Sequence, residues 1–84
     1  MTQKRKHQLE RMLRIYYKEF ETDWCSFIHA VSLLQKITEL LFSRVDYFAT
    51  AGYISLSELR FMRSCINEYN KYYFKKQLEM HKFS

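Results

Sequence analysis

The chain holds no proline and one glycine, Gly52, in 84 residues. These residue types are the strongest local breakers of regular structure, so the sequence can be interrupted in few places and is expected to form a few long helices. A chain of this length buries only about 60 to 65 per cent of the surface its unfolded form exposes, so its core must be thin. Aromatic residues make up 18% of the sequence, and large rings offset that thinness. One helical domain, residues 1–84, is expected, with rings left over for a second surface and hence for self-association as a homodimer.

Three segments follow from the periodicity. Thr2 can cap a first helix over residues 3–21, whose apolar positions Leu9, Met12, Leu13, Tyr16 and Phe20 recur at three and four. Thr22 and Asp23 are N-cap types and predict a second helix from Trp24 to Thr50. Both are also tolerated within a helix, so the alternative is one long bent rod over residues 3–50. Gly52 suits the left-handed residue that closes a helix, and Ser55 with Glu58 forms a capping box for a third helix from Leu56 to Lys82. Leu59, Met62, Ile66, Tyr69, Tyr73 and Met80 form its apolar stripe, interrupted by Lys76. The fold class expected is all-α, a small antiparallel three-helix bundle with a short first helix and a long hairpin about Gly52.

The middle helix carries a narrow polar strip, Ser32, Lys36, Glu39, Ser43 and Asp46, with apolar residues over most of the remainder. It therefore needs cover on two sides. A hairpin at residues 21–23 would let the first helix reach only to about Leu41. Phe42, Val45, Tyr47 and Phe48 would then lack a third partner and, with Phe61 and Tyr72 of the last helix, are the candidate interface.

Charge is segregated along the chain. Residues 1–18 carry net +5, residues 19–58 net −4 and residues 59–84 net +4. Basic outer helices against an acidic middle favour the three-helix topology and leave positive charge for a partner. In the first helix Lys4, His7, Arg11, Arg14 and Lys18 recur at three and four, away from the apolar stripe. Such a stripe is either a solvated face or a surface for an acidic protein, phosphates or membrane headgroups. In the last helix Arg60, Arg63, Lys71, Lys75 and Lys82 lie outward, with Tyr72 and Phe74 beside them. Cations beside rings can hold phosphates and stack bases, although ring stripes at helical spacing more often pack a core.

Catalytic signals are poor. There is no glycine-rich phosphate loop, no Ser-His-Asp arrangement and no carboxylate pair set against an apolar pocket. Cys25 and His29 lie one turn apart, and hairpin pairing about Gly52 would bring His81 near Cys25. A terminal histidine without a fourth ligand argues against zinc, so no metal and no cofactor are expected. The same pairing places Cys65 near Leu41, about 24 Å along the bundle from Cys25, too far for a disulfide.

No apolar run approaches the 18 or so residues of a membrane span, the longest obvious cluster being Leu40, Leu41 and Phe42. Lys4, Arg5 and Lys6 could open a signal peptide, but Gln8, Glu10, Arg11 and Arg14 stand where its apolar stretch belongs. Two distant cysteines agree with a reducing compartment, so an intracellular location is expected. The functional expectation is a non-enzymatic helical binding protein: an inhibitor, modulator or adaptor, of a kind small viral or phage chains supply. Its partner would be a protein with an acidic surface. The alternative is a nucleic-acid binder without sequence readout, using the basic faces of the first and last helices.

Overall fold

The computed structural model describes residues 1–18 and 26–82, with side chains as far as Met80. These residues form three helices, α1 (Gln3–Tyr17), α2 (Phe27–Thr50) and α3 (Leu56–Lys82), and no strand. The chain is all-α, as its lack of breakers dictates.

Each boundary has a local cause. The Thr2 hydroxyl accepts from the Arg5 amide at 3.2 Å and opens α1. α1 runs to Tyr17 rather than to residue 21, and residues 19 to 25 lie outside the described residues. Ser26 has extended backbone (φ −149°, ψ 147°), and its hydroxyl accepts from the His29 amide at 3.1 Å. α2 therefore begins at Phe27 and not at Trp24, and the single bent rod is excluded because Ser26 is not helical. The expected caps Thr22 and Asp23 fall outside the described residues.

The turn between α2 and α3 follows the sequence closely. Gly52 has φ +85°, its amide donates to the Ala49 carbonyl at 3.2 Å, and the Tyr53 amide donates to the Phe48 carbonyl at 2.9 Å. This pair of bonds is the Schellman closure, and the left-handed residue it needs is the single glycine. Ser55 and Glu58 then cap α3 reciprocally: the Ser55 amide donates to the Glu58 carboxylate at 2.9 Å and the Glu58 amide to the Ser55 hydroxyl at 3.2 Å.

All three helices feed one core. α1 contributes Leu9, Leu13 and Tyr17; α2 contributes Leu34, Leu41 and Val45; α3 contributes Met62, Ile66 and Tyr73. The α1 stripe is thus a strict spacing of four ending on Tyr17, while Met12 and Tyr16, expected inside, are exposed. Phe20, the last member of that expected stripe, lies outside the described residues. The reason is tertiary: α1 packs more closely on α3 than on α2. Its Tyr17 ring stacks on Tyr73 (centroids 5.2 Å apart, planes 3° apart) and tilts against Tyr69 at 5.4 Å. Such ring pairs contribute roughly 0.5 to 1.5 kcal/mol each beyond the area they bury.

The position of α1 along the bundle corrects the expected interface. Arg5 pairs with Glu58 at the Gly52 turn, Lys6 lies over the Phe61 ring, and Tyr17 meets the middle of α3. α1 is therefore shifted toward the turn, compared with a tight hairpin at residues 21–23. Leu13 packs near Leu41 and Met62, and Val45 is 1% exposed, a core residue rather than an interface residue. Phe42, Phe48 and Phe61 are half-buried against the same core, whereas Tyr47 and Tyr72 are exposed.

Across α2 and α3, Phe27 meets Phe74, the Thr38 hydroxyl lies 3.2 Å from Asn70 Oδ1, and Arg63 pairs with Asp46 at 2.8 Å. The polar strip Ser32, Lys36, Glu39, Ser43 and Asp46 is exposed throughout, as its periodicity requires. One polar residue is misplaced by any sequence rule. Gln77 is 0% exposed, and among the described residues neither its Nε2 nor its Oε1 has a hydrogen-bond partner.

Two stability effects follow. A buried amide with no partner costs about 1 to 3 kcal/mol, so Gln77→Met, close in shape and without that cost, should raise Tm, by roughly 4 to 8 °C per kcal/mol recovered. A fall in Tm on thermal melting would show that the amide is satisfied in solution. At Gly52 an added Cβ meets nothing within 4 Å, so Gly52→Ala should cost about 1 to 2 kcal/mol for the left-handed backbone alone. Urea unfolding should shift its midpoint down without changing its slope; an unchanged midpoint would mean that the turn relaxes.

Candidate functional site

The basic face of α1 survives folding intact. Lys4, His7, Arg11, Arg14 and Lys18 are all exposed, on the side of the helix away from Leu9, Leu13 and Tyr17. The helix that carries them is held at both ends. Glu58 Oε2 accepts from Arg5 Nε near its start, and the Tyr17 ring is buried near its end. Within the stripe, Arg14 Nε donates a long 3.4 Å bond to the Tyr69 hydroxyl, which draws Arg14 toward α3. The other four point to solvent as a row of cations and one imidazole.

The α3 cations are less uniform than their spacing suggests. Arg60, Lys71 and Lys75 are exposed, but Arg63 is held by Asp46 at 2.8 Å and lies 4.9 Å over the Phe42 ring. A guanidinium already paired and stacked has less to offer a phosphate than a free one. Tyr72 is exposed and packs T-shaped with Tyr73, at 5.0 Å and 82°, beside the exposed Lys71 and Lys75. Lys82 and His81 carry no described side chain.

Cys65 lies half-buried beside Glu10, Arg14 and Glu68 in a shallow groove between α1 and α3. Burial pushes its thiol up, and the two carboxylates push it further, so it is held as the un-ionised thiol and is a poor nucleophile. The Tyr17 phenol is also pushed up by burial, against an opposing hydrogen bond from Thr38. The Cys25, His29 and His81 grouping falls partly outside the described residues. Among the described residues no three His, Cys, Asp or Glu side chains are grouped to hold a metal, and no helix is long and apolar enough to cross a membrane.

The feature that the sequence reading missed is a groove between α1 and α2. Met12, Ile15 and Tyr16 form one wall, and Leu41, Arg44 and Phe48 form the other, around an open cavity of about 240 Å³. Ile15 is 65% exposed and Leu40, at the outer edge of α2, is 44% exposed. One signal was present in the sequence. Ile15 lies off the apolar stripe of α1, one turn from both Arg11 and Lys18, where a solvated face would carry a polar residue.

Comparison with protein-family models, with curated proteins and with solved structures gives no match.

The Arg5–Glu58 clasp makes the docking of α1 sensitive to acid. The Arg5 hydrogen bond, followed by the Ser55 amide, holds the Glu58 carboxyl below its usual value of 4.5. With the folded value below the unfolded one, the stabilisation is complete above the unfolded value and is lost as pH falls through the folded value. Tm should therefore be flat from neutral pH to about 5 and decline below that. Glu58→Gln keeps an acceptor but removes the titration, so its decline in acid should be shallower than that of the wild type. Parallel Tm profiles for the two proteins would show that the clasp contributes nothing.

Proposed function

We propose that this chain is a non-enzymatic binding protein, an inhibitor, modulator or adaptor, that engages an acidic surface on a protein partner through the basic face of α1. The observation that carries the reading is the exposed row Lys4, His7, Arg11, Arg14 and Lys18 on a helix fixed at both ends by Arg5–Glu58 and Tyr17–Tyr73. A preordered cationic helix loses little conformational freedom on binding, and its charge speeds encounter with an acidic surface.

The scaffold for this face is an antiparallel three-helix bundle. Pairs between α2 and α3 run in opposite numerical order, Phe27 with Phe74, Thr38 with Asn70 and Asp46 with Arg63, which supports the hairpin about Gly52. A homodimer through the Gly52 end has weaker support, since Val45 is core and Phe42, Phe48 and Phe61 are half-covered within the chain. A second reading, nucleic-acid binding without sequence readout, rests on Arg60, Lys71 and Lys75 and the exposed Tyr72 on α3.

Charge reversal separates these readings. Arg11→Glu with Lys18→Glu changes only exposed positions, so the circular dichroism spectrum and Tm should stay close to wild type. Association with the protein partner, identified by cross-linking in the native host and mass spectrometry, should slow by about tenfold or more at low salt. If DNA or RNA is the partner, the fall of log affinity with log salt should lessen by roughly 1 to 2 units instead. Unchanged rates and affinities for protein, DNA and RNA across the salt series would return the α1 stripe to a solvated face.

A further inference from the structure

The geometry points to the α1–α2 groove as a docking site for an acidic amphipathic helix of the partner protein, its apolar side chains seated on Ile15, Met12 and Phe48 and a carboxylate on Arg44. This rests on the reading of the chain as a protein-binding module, and it names the chemistry that the module would recognise. The groove is apolar where it is deepest and cationic at its edges. Arg44 lines it directly, and Arg11 and Lys18 stand one turn either side of Ile15. Among the described residues no Asp or Glu lines it.

Arg44 differs from the cations that find a partner on a neighbouring helix, as Lys6 does on the Phe61 ring and Arg14 on the Tyr69 hydroxyl. Arg5 meets Glu58 and Arg63 meets Asp46, but Arg44 has no ion pair among the described residues. An apolar floor with cationic rims complements an amphipathic helix whose apolar face is flanked by Asp or Glu. The size agrees with this occupant. At about 240 Å³ and open to one side, the groove falls below the roughly 300 to 1,000 Å³ that enclose a free small molecule, and it suits the few side-chain anchors of a helix. A second copy of the chain fits poorly, because it carries net +5 and would set the same cationic rims against each other.

Selection of peptides of about sixteen residues, roughly four helical turns, from a display library on the immobilised full chain tests the proposal. Peptides that bind Ile15→Glu equally well are removed. The enriched peptides should repeat apolar residues at three and four and carry an excess of Asp and Glu. Ile15→Glu, the milder Ile15→Ser and Arg44→Glu should each weaken a synthetic winner by about tenfold or more in fluorescence anisotropy, with unchanged circular dichroism. A Glu→Lys change in the peptide should recover binding to Arg44→Glu, which a purely structural role for Arg44 would not allow.

Enrichment of basic or unpatterned peptides, or of none, would overturn the proposal. So would a dimer of the chain alone that Ile15→Glu dissolves in sedimentation, because the occupant would then be a second copy. If the cross-linked partner loses affinity for Arg11→Glu with Lys18→Glu but binds all three groove variants normally, the protein-binding reading stands and the groove assignment falls. If that partner is indifferent to both sets, the two fall together.

Discussion

The Glu58 carboxylate joins two elements through its two oxygens. Oε1 accepts from the Ser55 amide and completes the cap of α3, while Oε2 accepts from Arg5 Nε and fixes the start of α1. It can do both because Gly52, in its left-handed conformation, reverses the chain three residues before Ser55. The second anchor of α1 is the stack of Tyr17 on Tyr73. Arg5 and Tyr17 are about 18 Å apart along their helix, so the two contacts fix its level and its direction on α3. A helix held at two distant points has little freedom left to slide, and the level of α1 determines everything else about the surface.

Two consequences follow from that level. At the Gly52 end α1 covers Val45, which reduces the exposed patch that a tight first hairpin would have left there to Tyr47 and the half-buried Phe42 and Phe48. Both anchors also lie on α3, so the face of α1 nearer α2 is not drawn in. Met12, Ile15 and Tyr16 stay at the surface opposite Arg44 and Phe48. The groove is thus a by-product of where α1 is tied.

How much of this was legible in the sequence divides along the same line. Local features read correctly: the absence of proline, the single glycine, Thr2, and the Ser55–Glu58 box have their effect within a few residues, and α3 begins and ends where periodicity and capping place it. The basic stripe of α1 was legible because exposure follows helical phase once a buried face exists. Ser26 was hidden because Thr22 and Asp23, cap types no stronger than serine, come first in the chain; the cap that opens α2 at Phe27 is Ser26. The choice between Tyr16 and Tyr17 as the last core residue of α1 turns on about 100° of helix rotation, which is set by Tyr69 and Tyr73 more than 50 residues away. The groove is wholly tertiary and could not be read from one helix at a time. Gln77 remains without a local explanation, since a stripe of Ile66, Tyr73 and Gln77 gives no signal that the last will be buried.

A small bundle with an open apolar groove faces a solubility problem, because exposed Ile15, Met12 and Leu40 invite a second copy as readily as a partner. Charge at the groove resolves it. On the proposed reading Arg44 in its lining, with Arg11 and Lys18 one turn from Ile15, makes a like-charged contact between two copies unfavourable while leaving the apolar floor available to an acidic helix. On the proposed reading these cations serve twice, once by opposing self-association and once by attracting the complementary charge. This dual role accounts for a placement that stability alone does not require. Arg5 and Arg63 meet acids within the chain, whereas Arg44 lines an apolar groove and meets no acid among the described residues. The Arg44 stem can still pack on its apolar neighbours, so on the proposed reading it is the unpaired charge that decides what the groove takes up and what it turns away.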